Sequence, residues 1–145
     1  MAKERYKLIP VVYVVFIKNE ECLLSRRFNT GHSDGQYGLV SGHVEADEPM
    51  LAAAVREAKE EAGVDILSSN LMLVHTLHRK CPDREDVNMF FECKTWSGEI
   101  SNAEPHKCDD LSWFPKNTLP DNTLDYIKQA LSCIEQKIPY SEFGW

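Results

Sequence analysis

Residues Gly42–Val64 read GHVEADEPMLAAAVREAKEEAGV. Within that stretch Glu57, Glu60 and Glu61 stand at i, i+3 and i+4, which on a helix gathers three carboxylates within reach of a common point. Like charges so close repel, so the helix gains no stability from them alone. A hard divalent cation would neutralise them, and an oxygen-only ligand set favours Mg²⁺, with Mn²⁺ as a substitute, over zinc. The helix is well specified. Pro49 suits a first turn, where its missing N–H is not needed, alanines fill the interior, and Gly63 suits a left-handed C-terminal cap. Leu51, Val55, Ala58 and Ala62 form an apolar stripe expected to pack on a core. The three glutamates are expected well round the cylinder from it, facing a site.

As a pattern the stretch is Gly42, five residues, Glu48, seven residues, Arg56-Glu57, Ala58, one residue, Glu60-Glu61, one residue, Gly63-Val64. It resembles the complete Nudix box of the MutT-like pyrophosphohydrolases, with every fixed position matched. Ala58 and Val64 occupy the two aliphatic positions. The resemblance implies an α/β fold, a Nudix-type α/β/α sandwich with a mixed β-sheet between helices, taking residues 1–145 as a single Nudix domain. It implies hydrolysis of a pyrophosphate bond in a nucleoside triphosphate, releasing a nucleoside monophosphate and pyrophosphate. A dinucleotide or nucleotide sugar such as ADP-ribose is the alternative substrate, and a non-catalytic nucleotide-sensing domain the alternative role.

Carried over position by position, the resemblance makes Glu57, Glu60, Glu61 and the backbone carbonyl of Ser41 metal ligands. Arg56 is expected to hold neighbouring carboxylates in place, Glu48 to support the metal shell through water, and Gly42 and Gly63 to serve backbone geometry. Glu104, in the segment Trp96–Pro105, falls where a MutT-like enzyme brings a further acid to the metals, with Glu99 as the competing choice. A box glutamate is the remaining option for the general base. Arg27 matches a phosphate-contacting position and Asn122 a position that reads the nucleobase; Tyr37, Phe90 and Phe91 could form a stacking wall. One departure stands out: Val40-Ser41-Gly42-His43 replaces the common Pro-Gly-Gly, so His43 could alter what fits beside the phosphates.

The remainder of the chain supports this frame. Its 145 residues fit one domain, and 43% hydrophobic residues suffice for a core. The formal charge of −7 argues against a polynucleotide track and makes polyphosphate binding depend on cations. Five cysteines with no C-x-x-C pair fit a reducing cytoplasm better than a disulfide framework. The longest apolar run, Leu8–Ile17, is too short to span a bilayer, so no membrane partner is expected. Strands are predicted over 8–17, 22–26, 37–40, 70–77, 87–96 and 111–114, a second helix over 121–136, and a mobile loop over 78–86. His75 and His78 are expected on opposite faces of a strand, hence not a zinc pair. The C-terminal PYSEFGW looks exposed and could pack on self or on a partner, and a homodimer is possible.

Overall fold

The computed structural model describes residues 2–145. Ten residues rich in valine and aromatics, Ile9–Lys18, form β1, buried on both faces. Asn19 and Glu20, both in the left-handed region, make the tight turn into β2 (Glu21–Arg27). β3 (Tyr37–Gly38) and β4 (Val40–His43) lead into α1 (Met50–Ala62). A 3₁₀ turn, Ser68–Asn70, precedes β5 (Leu71–Lys80), β6 (Glu85–Cys93) and β7 (Cys108–Pro115). The chain closes with α2 (Asp125–Glu135) and β8 (Tyr140–Phe143).

The strands join in the order β3-β2-β1-β6-β5-β8, with β4 paired to β1 and β7 to β2. β1 runs parallel to β6, and β8 parallel to β5; the other pairs are antiparallel, so the sheet is mixed. Side chains alternate along β1. Val12, Val14 and Phe16 join the alanines of α1 in one core, while Val11, Tyr13 and Val15 meet Ile127 and Ala130 of α2 in another. Helices therefore cover both faces of a mixed sheet, the expected α/β/α arrangement.

Several elements differ from their predicted extent. Pro49 is the residue that precedes α1 rather than part of its first turn; its extended ψ of 148° keeps it outside the helix. β5 and β6 absorb most of the expected 78–86 loop, because Arg79 and Lys80 pair with Asp86 and Glu85 across the hairpin. PYSEFGW is ordered against its own chain: β8 adds to β5, and the Trp145 indole donates to the His78 carbonyl at 3.2 Å. His75 and His78 do lie apart. His75 is buried beside Phe90 and bonded to Ile138 O and Ser141 Oγ, whereas His78 packs on Trp145. No helix among the described residues is long and apolar enough to cross a membrane.

The face of α1 is the main correction. Ala53, Ala54, Glu57, Ala58 and Ala62 are its buried residues, while Leu51 is exposed. Glu57 and Glu61 thus lie within the arc that packs on the sheet, not round the cylinder from it. Alanine rows let the helix approach β4 closely enough for those carboxylates to reach its backbone.

Candidate active site

The α1–β4 contact supplies the centre of the site. Gly42 has no left-handed backbone angle; its side chain is missing because the Glu57 carboxyl group occupies the space where a Cβ would project. One residue earlier, the Ser41 N–H donates to Glu61 Oε2 at 2.7 Å. Gly63 differs, with φ of 71° ending the helix and its N–H donating to Lys59 O.

Arg56 organises the carboxylates. Its Nε and Nη2 grip both oxygens of Glu48 at 2.7 and 2.9 Å, and Nη1 donates to Glu57 at 2.7 Å and Glu60 at 3.3 Å. Nη2 also reaches the His43 carbonyl. The bond to Arg56, aided by the Glu45 N–H, holds the Glu48 carboxyl down at about 2. Glu48 is therefore Arg56's counter-ion. Glu57 and Glu61 are pushed the other way. Burial raises the Glu57 carboxyl against the pull of Arg56, and burial raises Glu61 well above the carboxylate range despite its bond from Ser41. Glu57, Glu104 and Glu60 add their repulsion at Glu61.

The loop after β6 docks on the end of α1. Ser101 N–H and Ala103 N–H cap the carbonyls of Ala62 and Glu61, groups a helix end otherwise leaves free. Asn102 fixes the next turn by bonding Cys108 O and the Glu104 N–H. Glu104 is thereby brought beside Glu61. Both line a pocket of about 120 Å³ with Ser41, Arg27 and Lys107. Arg27 Nε bonds the His32 carbonyl at 2.6 Å and Nη2 the Thr30 hydroxyl, so its loop is held from within. A larger cavity of about 470 Å³ lies behind the C-terminal half of α2, but its floor is apolar and its Lys116 is engaged by Glu20 and Glu135. Glu92 and Glu135 line it, but none of Glu57, Glu60, Glu61 and Glu104 does.

Not every expected residue converges. Glu57 and Glu60 do not line the pocket and are held by Arg56. Asn122 is exposed, with its amide donating to the Gly35 carbonyl at 2.8 Å, and it does not line the pocket. Tyr37, Phe90 and Phe91 are core residues; the aromatic wall is Tyr13 and Tyr126. Lys107, Tyr13 and Tyr126 carry no local sequence signal, since three separate segments bring them together.

Among the described residues, no three His, Cys, Asp or Glu side chains are arranged as a metal-binding group. The donor chemistry nevertheless fits a hard cation. Glu57, Glu60, Glu61 and the Ser41 carbonyl offer only oxygen, and Glu57, Glu104 and Glu60 all repel a charge on Glu61, although Arg56 offsets Glu57 and Glu60.

The NUDIX domain model matches residues 7–132. The chain belongs to the Nudix family. It is 31% identical over 114 residues to the NAD-capped RNA hydrolase NudC of Pseudomonas aeruginosa, covering 79% of this chain but 38% of that protein. It is 29% identical over 130 residues to the ADP-ribose pyrophosphatase of Methanocaldococcus jannaschii, covering 88% and 75% respectively. The MutT NUDIX hydrolase from Burkholderia pseudomallei shares the Nudix fold at a TM-score of 0.80, with 23% identity over 87% of this chain and 97% of that one. The E. coli ORF135 protein does so at 0.76, with 22% identity over 90% and 91%.

Proposed function

We propose that this Nudix chain, taken as one domain, hydrolyses the pyrophosphate link of a dinucleotide or nucleotide sugar such as ADP-ribose. The observation that carries the reading is one pocket whose lining holds Glu61 and Glu104 together with Arg27 and Lys107, the last 3.9 Å from Glu104. That pairing offers acids to a water and cations to phosphate oxygens. The names of the two curated relatives favour this substrate class over the nucleoside triphosphate placed first on sequence. The free thiols of all five cysteines are in keeping with a reducing cytoplasm.

Water attacks one phosphorus, the bridging P–O bond breaks, and the water's proton passes to a carboxylate. The products are a nucleoside monophosphate and the phosphorylated second moiety. Glu57, Glu60, Glu61 and the Ser41 carbonyl would hold Mg²⁺, which when bound neutralises phosphate charge and lowers the pKa of water. Arg27 and Lys107 bind the phosphates and hold the scissile link in register. Glu104 accepts the proton, positioned by a loop docked on α1. The bond from Ser41 orients Glu61, and Arg56 acts at one remove, fixing Glu57 and Glu60 from behind.

The test is a panel of ADP-ribose, NAD⁺ and nucleoside triphosphates with Mg²⁺, products separated by chromatography. ADP-ribose or NAD⁺ is expected to exceed every triphosphate in kcat/KM by about tenfold or more, a difference of about 1.4 kcal/mol. A triphosphate in first place would restore the other reading.

A further inference from the structure

β6 carries an orphaned amide between buried Val11 of β1 and Leu77 of β5. Asn88 sits at the middle of β6 with no exposed surface, and neither its amide nitrogen nor its amide oxygen has a hydrogen-bond partner. Such a group destabilises a fold, and buried amides are nearly always satisfied. Its position follows from register. β6 lies between β1 and β5, with Phe90 opposite Tyr13 on one side and Asp86 opposite Arg79 on the other. Asn88 falls between Asp86 and Phe90 and shares their face.

A roof crosses β6 at that point. The Tyr126 ring meets Tyr13 edge-on at 6.3 Å, and the Arg79 guanidinium lies 3.7 Å over the same ring. Tyr126 therefore bridges β1 to β5 above Asn88. The roof's polar contacts are long: the two tyrosine hydroxyls are 3.4 Å apart, and Arg79 reaches Asp86 at 3.7 Å, the shorter bond there coming from Arg84, while Phe143 packs on the Tyr126 ring at 6.2 Å. Tyr13 and Tyr126 also line the carboxylate pocket. Entry from that pocket to the amide requires Tyr126 to swing.

We infer that Asn88 is the floor of a subsite for a planar ring carrying an adjacent donor and acceptor, a nucleobase or a nicotinamide carboxamide, entered beneath the Tyr126–Arg79 roof. An amide offers a donor and an acceptor to such a ring, while Tyr126 and Arg79 supply flat surfaces for its faces; the Tyr13 ring is already stacked on Phe90 at 4.5 Å and serves as an edge of the subsite. Asn122, bonded and exposed, lacks both features. The inference rests on the hydrolase reading for its place beside the scissile link, but its test is binding without turnover.

The probes are adenosine monophosphate, nicotinamide mononucleotide and ribose 5-phosphate, titrated calorimetrically into the wild type and Asn88→Leu. The variant is expected to bind one or both nucleotides about 10- to 100-fold more weakly, with ribose 5-phosphate unchanged; the nucleotide that loses more identifies the ring. On ADP-ribose, KM rises while kcat stays within about twofold, as for loss of uniform binding. Equal nucleotide binding by variant and wild type overturns the inference, as does wild-type binding of both nucleotides no tighter than ribose 5-phosphate. Should Asn88→Leu not fold, the Asn88 side-chain NH₂ resonances of the wild type decide. They shift on nucleotide saturation if the inference holds, and stay fixed if it is wrong. Absent turnover with intact Asn88-dependent binding would remove the hydrolase reading alone.

Discussion

The Glu57 carboxyl group lies where a side chain on Gly42 would stand. The box glycine and the box glutamate are thus one steric unit, built by close approach of α1 to β4. Gly42→Ala forces the carboxyl away from its bond with Arg56. Displacement of about 1 Å at a reacting centre costs about a hundredfold in rate. The expected outcome is that loss in kcat on ADP-ribose. A variant with wild-type kcat would show that Glu57's placement is immaterial.

Arg56 holds four groups with one planar fork. Arg56→Lys keeps the charge but cannot span Glu48, Glu57 and Glu60 together. Urea unfolding should show a loss of about 1–3 kcal/mol, the range for a part-buried charged hydrogen bond left unmade. Activity should fall with it. An unchanged unfolding midpoint would mark the network as an ordinary surface ion pair.

Alkali should weaken the fold through two groups far from the glutamates. Burial lifts the Cys22 thiol from 9.0 to about 11, against a small opposing pull from Lys116. Burial and the bond to Asp110 lift Tyr37 from 10.0 to about 12. Both folded-state values exceed the unfolded ones. Their contribution is therefore whole below pH 9 and drains away as pH climbs, between 9.0 and about 11 for Cys22 and between 10.0 and about 12 for Tyr37. Urea midpoints measured from pH 8 upward should decline beyond about 9, and Cys22→Ala should flatten the first part of that decline. A midpoint level to pH 11 in the wild type would refute the assignment.

The sequence was legible where local physics is enough. Gly63, the alanines and the glutamate spacing define α1 and its carboxylates, and the valine run of β1 declares a doubly buried strand. It misled where a neighbour decides. Leu51 looked like core because it is large and apolar, but the sheet lies against the alanine rows, where only small residues let Glu57 and Glu61 reach β4. Charged Arg79 and Lys80 read as loop, although pairing with Asp86 and Glu85 extends the hairpin. β8 depends on a parallel partner that sequence spacing does not reveal. At the site, Arg27, Glu61 and Glu104 were legible from the box and its flanks. Lys107, Tyr126 and the orphaned Asn88 became visible only once the sheet order set β1, β6 and β5 side by side.

If the α1 carboxylates hold a divalent cation against a pyrophosphate link, hydrolysis depends on both the ion and those side chains. The most direct test is the ADP-ribose hydrolysis rate of the wild type and Glu61→Gln as Mg²⁺ is titrated from zero, with each protein's fold checked by its melting temperature. The expected result is no wild-type turnover without the ion, saturation as Mg²⁺ rises, and a rate at least about a hundredfold lower in Glu61→Gln at equal or higher thermal stability. Wild-type turnover independent of Mg²⁺, or a Glu61→Gln rate equal to wild type, would contradict it.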